Sequence, residues 1–241
     1  MKLIVLDSGS KANGYVLTNG SEALIIEAGV NLIEVKKALG FNVSIIKGCI
    51  ISHNHMDHSR YVQNYARNGI SILAPAQVFI IDHNRNKAVK PLHGYKLGGF
   101  KILPFPAKHD VVCYGYVIEH NDCGRILFAN DTYLVEYKFS DLNHIIIEAN
   151  YADDILEKKI SEGETHPSMR KRLMTSHMEI QTTKTTLQSM DLKDVINIIL
   201  VHLSDDHSDE KLFKDEIIRA TGKQVYVARK GLEVNLSKNI F

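Results

Sequence analysis

Cysteine is scarce: Cys49, Cys113 and Cys123 are the only three in 241 residues. An odd, sparse set with no CxxC pair argues against a disulfide framework and against a cysteine zinc knuckle. Long apolar runs are absent too. No stretch approaches the roughly 18 to 20 residues that span a bilayer. The four-residue apolar run in MKLIVLDSGS is too short for the apolar core of a signal peptide. A soluble, cytoplasmic protein with no membrane partner is expected. Charge of one sign is not in excess, with 29 Lys and Arg against 28 Asp and Glu. This lacks the basic surplus of a protein that coats nucleic acid, but leaves room for an enzyme with a local basic patch. Low-complexity segments, linkers and clear internal repeats are also missing, and the length allows one large domain or two small ones.

Short β-type runs and Gly, Ser and Asn turns fill the first half: KLIVLD, GYVLT, EALIIEA and GCIIS. NLIEVKKALG reads as a helix capped by Asn31 and stopped at Gly40. Helices are expected over 59–67 and 76–82, with strands in ISILAP, KAVKPL, YKLGG and KILPFPA. GYVIEH and GRILFAND form a hairpin pair around NDCG. HIIIEAN is the next strand, followed by a helix-rich stretch from 153 to 191. INIILVHLS, a capped helix over 205–222 and KQVYVAR end the chain. Strand runs followed by helices, once in each half, point to an α/β architecture. Two sheets pack face to face with helices outside.

The densest polar stretch is HNHMDH at 53–58. His53 and His55 leave a strand two residues apart, so both rings can face one ion. Asp57 and His58 sit where the chain turns into a helix and could serve a second. A polar loop that merely follows a strand is the plain alternative. Three further donors each fall at an apolar run: His109 after ILPFPAK, Asp131 after RILFAN, and His202 within IILVHLS. The seven together offer nitrogen and carboxylate oxygen without thiolate. That set suits zinc, manganese or iron. Asp131 can bridge two cations.

The order H-x-H-x-D-H, His, Asp, His resembles the metallo-β-lactamase fold hydrolases, whose fold is a four-layer αββα sandwich of two mixed sheets. The resemblance implies one metal on His53, His55 and His109, and another on Asp57, His58 and His202, with Asp131 between them. The Asp-His pair is similar to that of phosphodiesterases, nucleases and glyoxalase II. DSGSKANGYVLT, PFPAKHD, IEAN, RKRLMTSH and VHLSDDHSD are similar to the YycJ-like branch, over about residues 7 to 210. Members of that branch are regarded as single-domain metal-dependent nucleases, which implies one domain over residues 1–241. The implied activity is a DNA or RNA exonuclease, with a hydroxide shared by two cations about 3.5 to 4 Å apart attacking phosphorus.

Asp57 and His177 are the implied catalytic residues. His177 would protonate the leaving alcohol or bind the phosphate, unless it caps a helix end. Ser204 and Asn13 are candidate substrate contacts, each with a structural alternative. The chain departs from the branch at Glu27, where relatives have Asp, and at Ser176–His177–Met178–Glu179–Ile180, where they read Gly-His-Leu-Ser-Asn. It departs again at His207 and Ser208, where they favour Asn-Asn. Arg170, Lys171 and Arg172 form a short basic run that is either a grip on a phosphate backbone or a solvated helix face. The same ligands would also serve a small-molecule hydrolase, either a cyclic-nucleotide phosphodiesterase or a glyoxalase II-like thioesterase. A catalytically silent metal-binding protein is the third reading.

Overall fold

In a computed structural model of the chain, residues 1–79 and 85–238 are described. The first part contributes β1 (Lys2–Asp7), β2 (Gly14–Thr18), β3 (Ala23–Ile26), α1 (Leu32–Ala38), β4 (Ile46–Ile50), α2 (Met56–Ser59), α3 (Val62–Arg67), β5 (Ile72–Ala74) and β6 (Asn86–Ala88). Next come β7 (Tyr95–Leu97), β8 (Phe100–Ala107), β9 (Cys113–His120), β10 (Gly124–Ala129) and β11 (Leu142–Glu148). The chain continues through α4 (Asp153–Ser161), α5 (Ser168–Ser176), α6 (Ile180–Gln188), β12 (Asn197–Val201), α7 (Glu210–Thr221), β13 (Gln224–Val227) and β14 (Glu233–Asn235).

Two seven-stranded sheets result, ordered β14-β1-β2-β3-β4-β5-β6 and β13-β12-β11-β10-β9-β8-β7. Each is mixed. Strands β1 to β3 pair antiparallel and β3 to β6 parallel. In the second sheet β7 to β10 are antiparallel and β10 to β13 parallel. Leu3, Tyr15, Leu17 and Leu24 of the first sheet meet Phe100, Tyr116, Ile118 and Phe128 of the second in one buried cluster. Outside the first sheet, Ile25 and Ile72 pack with Val35 of α1 and Tyr65 of α3. Outside the second, Ile198 and Leu200 pack with Ile180 and Leu187 of α6 and Phe213 and Ile217 of α7. The layers are therefore helix, sheet, sheet, helix.

The β12 run shows why the strands of the second sheet are continuously apolar. Ile199 and Val201 face the inner cluster while Ile198 and Leu200 face the helices. A strand buried on both faces has no polar side to alternate with. Helix ends follow local chemistry. The Asn31 side chain accepts from Ile33 N at 3.1 Å, and Asp209 accepts from Leu212 N at 2.9 Å. Gly222 ends α7 at φ 66°, a conformation that costs glycine nothing.

Two expectations need correction. The helix over 76–82 is a single 3-10 turn, Ala76–Val78, and its later half falls outside the described residues. Strand β14 carries no sequence signal, since three residues with one buried side chain make no pattern. It exists because the chain returns to pair with β1, Val234 opposite Leu3. Among the described residues no helix is long and apolar enough to cross a membrane.

The buried face of β11 also carries His144, fully enclosed and set opposite Asn197 of β12. Burial holds its imidazole neutral, with its pKa lowered to about 4. In the unfolded chain the same ring titrates near 6.5. The unfolded state therefore takes up a proton first as pH falls. Stability is intact above about 6.5 and declines between there and about 4, by about 3 kcal/mol. Urea midpoints at pH 7 and pH 4.5 should show this loss, and His144→Gln should flatten it. An unchanged slope in the variant would assign the acid sensitivity to other groups.

Candidate metal centre

Strands β4, β10, β11 and β12 end at one edge of the sandwich. Strand β8 runs antiparallel to β9, and β9 antiparallel to β10, so β8 also ends there. Open α/β sheets place their sites outside the carboxyl ends of such strands. His53 follows β4, His109 follows β8, Asp131 follows β10, Glu148 closes β11 and His202 follows β12.

The backbone at these exits is bent sharply. Glu27, Asp131 and His202 adopt φ of 66°, 48° and 56°. Left-handed backbone is costly for residues with a Cβ and clusters where side chains must be aimed. Helix α2 is a short turn packed hard against the chain after β3. Asn13 N donates to Asp57 O at 2.7 Å and Ala28 N to His58 O at 2.7 Å. A Cβ on Gly29 would collide with the Asp57 carbonyl, so only glycine fits.

The seven expected residues converge as two sets of ligand atoms, each within 4.8 Å of one another. One set is His53, His55, His109 and Asp131; the other is Asp57, His58, Asp131 and His202. Asp131 Oδ2 lies 3.8 Å from His53 Nε2, 3.9 Å from His109 Nε2 and 3.3 Å from His58 Nε2. Asp57 Oδ2 lies 3.0 Å from His58 Nε2 and 3.5 Å from His202 Nε2.

Three of the histidines have one ring nitrogen hydrogen-bonded from behind, which leaves the other facing inward, and His58 Nδ1 faces the Glu27 carboxylate without a hydrogen bond. His53 Nδ1 contacts Ser52 Oγ at 2.9 Å, and His109 Nδ1 donates to Ser176 O at 2.8 Å. His58 Nδ1 is 3.5 Å from Glu27 Oε1, and His202 Nδ1 is 3.2 Å from Glu148 Oε1. Such outer partners set the tautomer and orient a metal-binding imidazole. The inward atoms His53 Nε2, His202 Nε2 and Asp131 Oδ1 are buried with no hydrogen-bond partner. Buried polar atoms are rarely left so. Inward-facing nitrogen and carboxylate oxygen without partners fit a pair of borderline divalent cations.

The electrostatics agree. Burial pushes His53 down, and the neighbouring His58 lowers it further. Burial also opposes charge on His58 and His202, yet the Asp131 carboxylate outweighs it. His58 is held well above its usual range, and His202 is raised to about 10. Burial likewise opposes ionisation of Asp57, but hydrogen bonds to His202 and His58 hold it ionised, below the usual carboxylate range. The two carboxylates are therefore anionic and ready to receive cations.

His177 caps the end of α5 and faces the same centre. Its Nδ1 hydrogen-bonds Glu148 Oε1 at 2.7 Å, and its ring stacks on His202 at 5.1 Å. Glu148 is a site residue that sequence reading passed over. It is fully buried, and its other oxygen accepts from Thr132 N at 2.8 Å. An ionisable residue closing the isoleucine run of HIIIEAN was the available signal.

Asn13 and Ser204 are not placed as substrate contacts. Asn13 is fully buried behind the ligands, and its amide nitrogen lies 3.2 Å from Asp57 Oδ2 and 3.0 Å from His58 Nε2. Its Oδ1 accepts from Gly9 N and Tyr15 OH. Ser204 Oγ accepts from Asp206 N and His207 N and contacts His207 Nδ1, so it holds a turn. The departures from the branch are structural as well. Met178 and Ile180 are core residues, and Glu179 caps α6. His207 is buried against Thr165. Glu27 stands behind His58, with its carboxylate also accepting from Ser52 N.

No family model matches the chain, and no curated protein does. Solved structures do match in fold. The chain is similar to the metallo-β-lactamase fold protein YhfI from Bacillus subtilis at 16% identity and TM-score 0.69, covering 97% of this chain and 99% of that one. Zn2+-bound PqqB from Methylobacterium extorquens gives 12% identity and TM-score 0.70, over 98% and 100% of the two chains. The short form of human tRNase Z gives 14% identity and TM-score 0.66, over 98% and 99%. The fold is therefore the metallo-β-lactamase fold.

Proposed function

We propose that residues 1–241 form one metal-dependent hydrolase domain that cleaves phosphodiester bonds in nucleic acid, as an exonuclease of the YycJ-like kind. The observation that carries this reading is the pair of ligand sets sharing Asp131, set beside the His177–Glu148 dyad. Two cations held there would polarise a phosphoryl oxygen and make water nucleophilic at neutral pH.

The chain's own groups supply the rest. Glu148 holds His177 Nδ1, which leaves Nε2 for a substrate oxygen. A proton on Nε2 can pass to the departing alkoxide, and the buried carboxylate holds the ring in place for that transfer. His55 is 37% exposed and Asp57 19%, so the centre opens to solvent rather than lying in a closed pocket. An open centre suits a polymer. Met56 of α2 and Val112, Tyr133 and Leu134 of the loops beside the ligands are left exposed, and would meet the organic part of an ester. The basic run lies on α5, within two turns of His177. Arg170 is paired with Glu157 at 2.8 Å, while Lys171 and Arg172 are exposed and available to a backbone phosphate.

The test is turnover of end-labelled DNA and RNA by protein reloaded with zinc or manganese, with Asp57→Ala as control. Stepwise loss of nucleotides that disappears in the variant is the expected result. No cleavage by protein shown to hold two ions would overturn the nuclease reading, and cyclic nucleotides and thioesters would then be assayed.

A further inference from the structure

His55 stands apart from the other four histidines. Its Nδ1 turns inward, 3.2 Å from His109 Nε2. Its other nitrogen, Nε2, lies on a side chain that is partly exposed. The other four each have an acceptor or a hydroxyl on the outer nitrogen: Ser52, Ser176, Glu27 and Glu148. The group that meets His55 Nε2 is Asp110, whose Oδ1 lies 3.5 Å away and also 3.1 Å from His109 Nε2. Asp110 directly follows a ligand, His109, and is half exposed.

We infer that Asp110 is a positioning residue for the metal centre: it accepts from His55 Nε2–H and thereby fixes the tautomer that presents Nδ1 to the first ion. The inference rests on the metal reading above and adds a residue to it. The physical need is specific. An imidazole free to exchange tautomers offers Nδ1 as an acceptor only part of the time, and an exposed ring also rotates. His55 is the exposed member of its set, so it needs an outer partner more than buried His53 does. A carboxylate in that place also raises the basicity of the inward nitrogen.

The experiment compares wild type, Asp110→Ala and Asp110→Asn, each stripped of metal. Zinc affinity and stoichiometry are read by chelator competition, and the His55 tautomer by 15N NMR of the imidazole. Asp110→Ala should bind the first ion about 10 to 100-fold more weakly and lose the Nε2–H preference. Asp110→Asn, whose amide oxygen still accepts, should keep both the tautomer and most of the affinity. Circular dichroism checks that the fold is retained. Wild-type affinity in Asp110→Ala overturns the inference. Equal weakening in the Asn and Ala variants also overturns it, because that pattern marks a direct anionic ligand. Failure of the wild type itself to bind two ions overturns the metal reading instead, so the two failures are distinguishable.

Discussion

Asp131→Ala is expected to cost the protein at least one of its two ions and to lower the proposed hydrolysis by about 10³-fold or more. Among the described residues its carboxylate is common to both ligand sets, while every other ligand of those sets serves one. Asp57→Ala should remove one ion, whereas Asp131→Ala should leave one at most, loosely held. The change should also weaken the metal-free fold. Asp131 is buried and ionised: burial opposes its charge, but His202 and His58 hold its pKa well below the usual carboxylate range. Removing it leaves His58 and His202 buried without their main counter-charge, at a cost of about 3 to 5 kcal/mol. Metal analysis after dialysis and urea unfolding of the apo-protein check both parts. Retention of two tightly bound ions by the variant would sink the bridging role.

Glu148→Gln should separate chemistry from metal binding. The glutamine keeps the shape of the side chain and can still accept from Thr132 N, but it lacks the charge that faces His177 Nδ1. A fall in kcat of about 10² to 10⁴-fold is expected, with metal content and KM little changed. Glu148 also touches His202, so Ala at this position should additionally loosen the second ion. The comparison of Gln with Ala therefore distinguishes loss of charge from loss of packing. Wild-type kcat in Glu148→Gln would show that His177 acts without its carboxylate, or does not act as the acid.

The sequence was enough to determine the donor set and the layering. His53, His55, Asp57 and His58 sit in six residues, and His109, Asp131 and His202 each stand at the end of an apolar run. Donors at strand ends are legible because strand period and apolar runs are local properties. The two-sheet arrangement was legible for the same reason. Strand β14 was not, because its existence depends on a partner 231 residues away in the chain, as the Lys2 to Glu233 ion pair across the same strands illustrates.

Only the tertiary structure decided what stands behind the donors. Asn13 looked like a substrate contact and is instead buried against Asp57 and His58, 44 and 45 residues distant. Ser204 looked available, and its hydroxyl is taken by its own turn. Glu148 sat unremarked inside HIIIEAN until β11 and β12 paired and brought it to His202, and α5 delivered His177 to its other side. Asp110 is one more acidic residue in the sequence and acquires a partner only where two sheets bring His55 and His109 together. A ligand is chosen by its own chemistry, which the residue type carries. An orienting partner is chosen by distance, and only folding sets the distance.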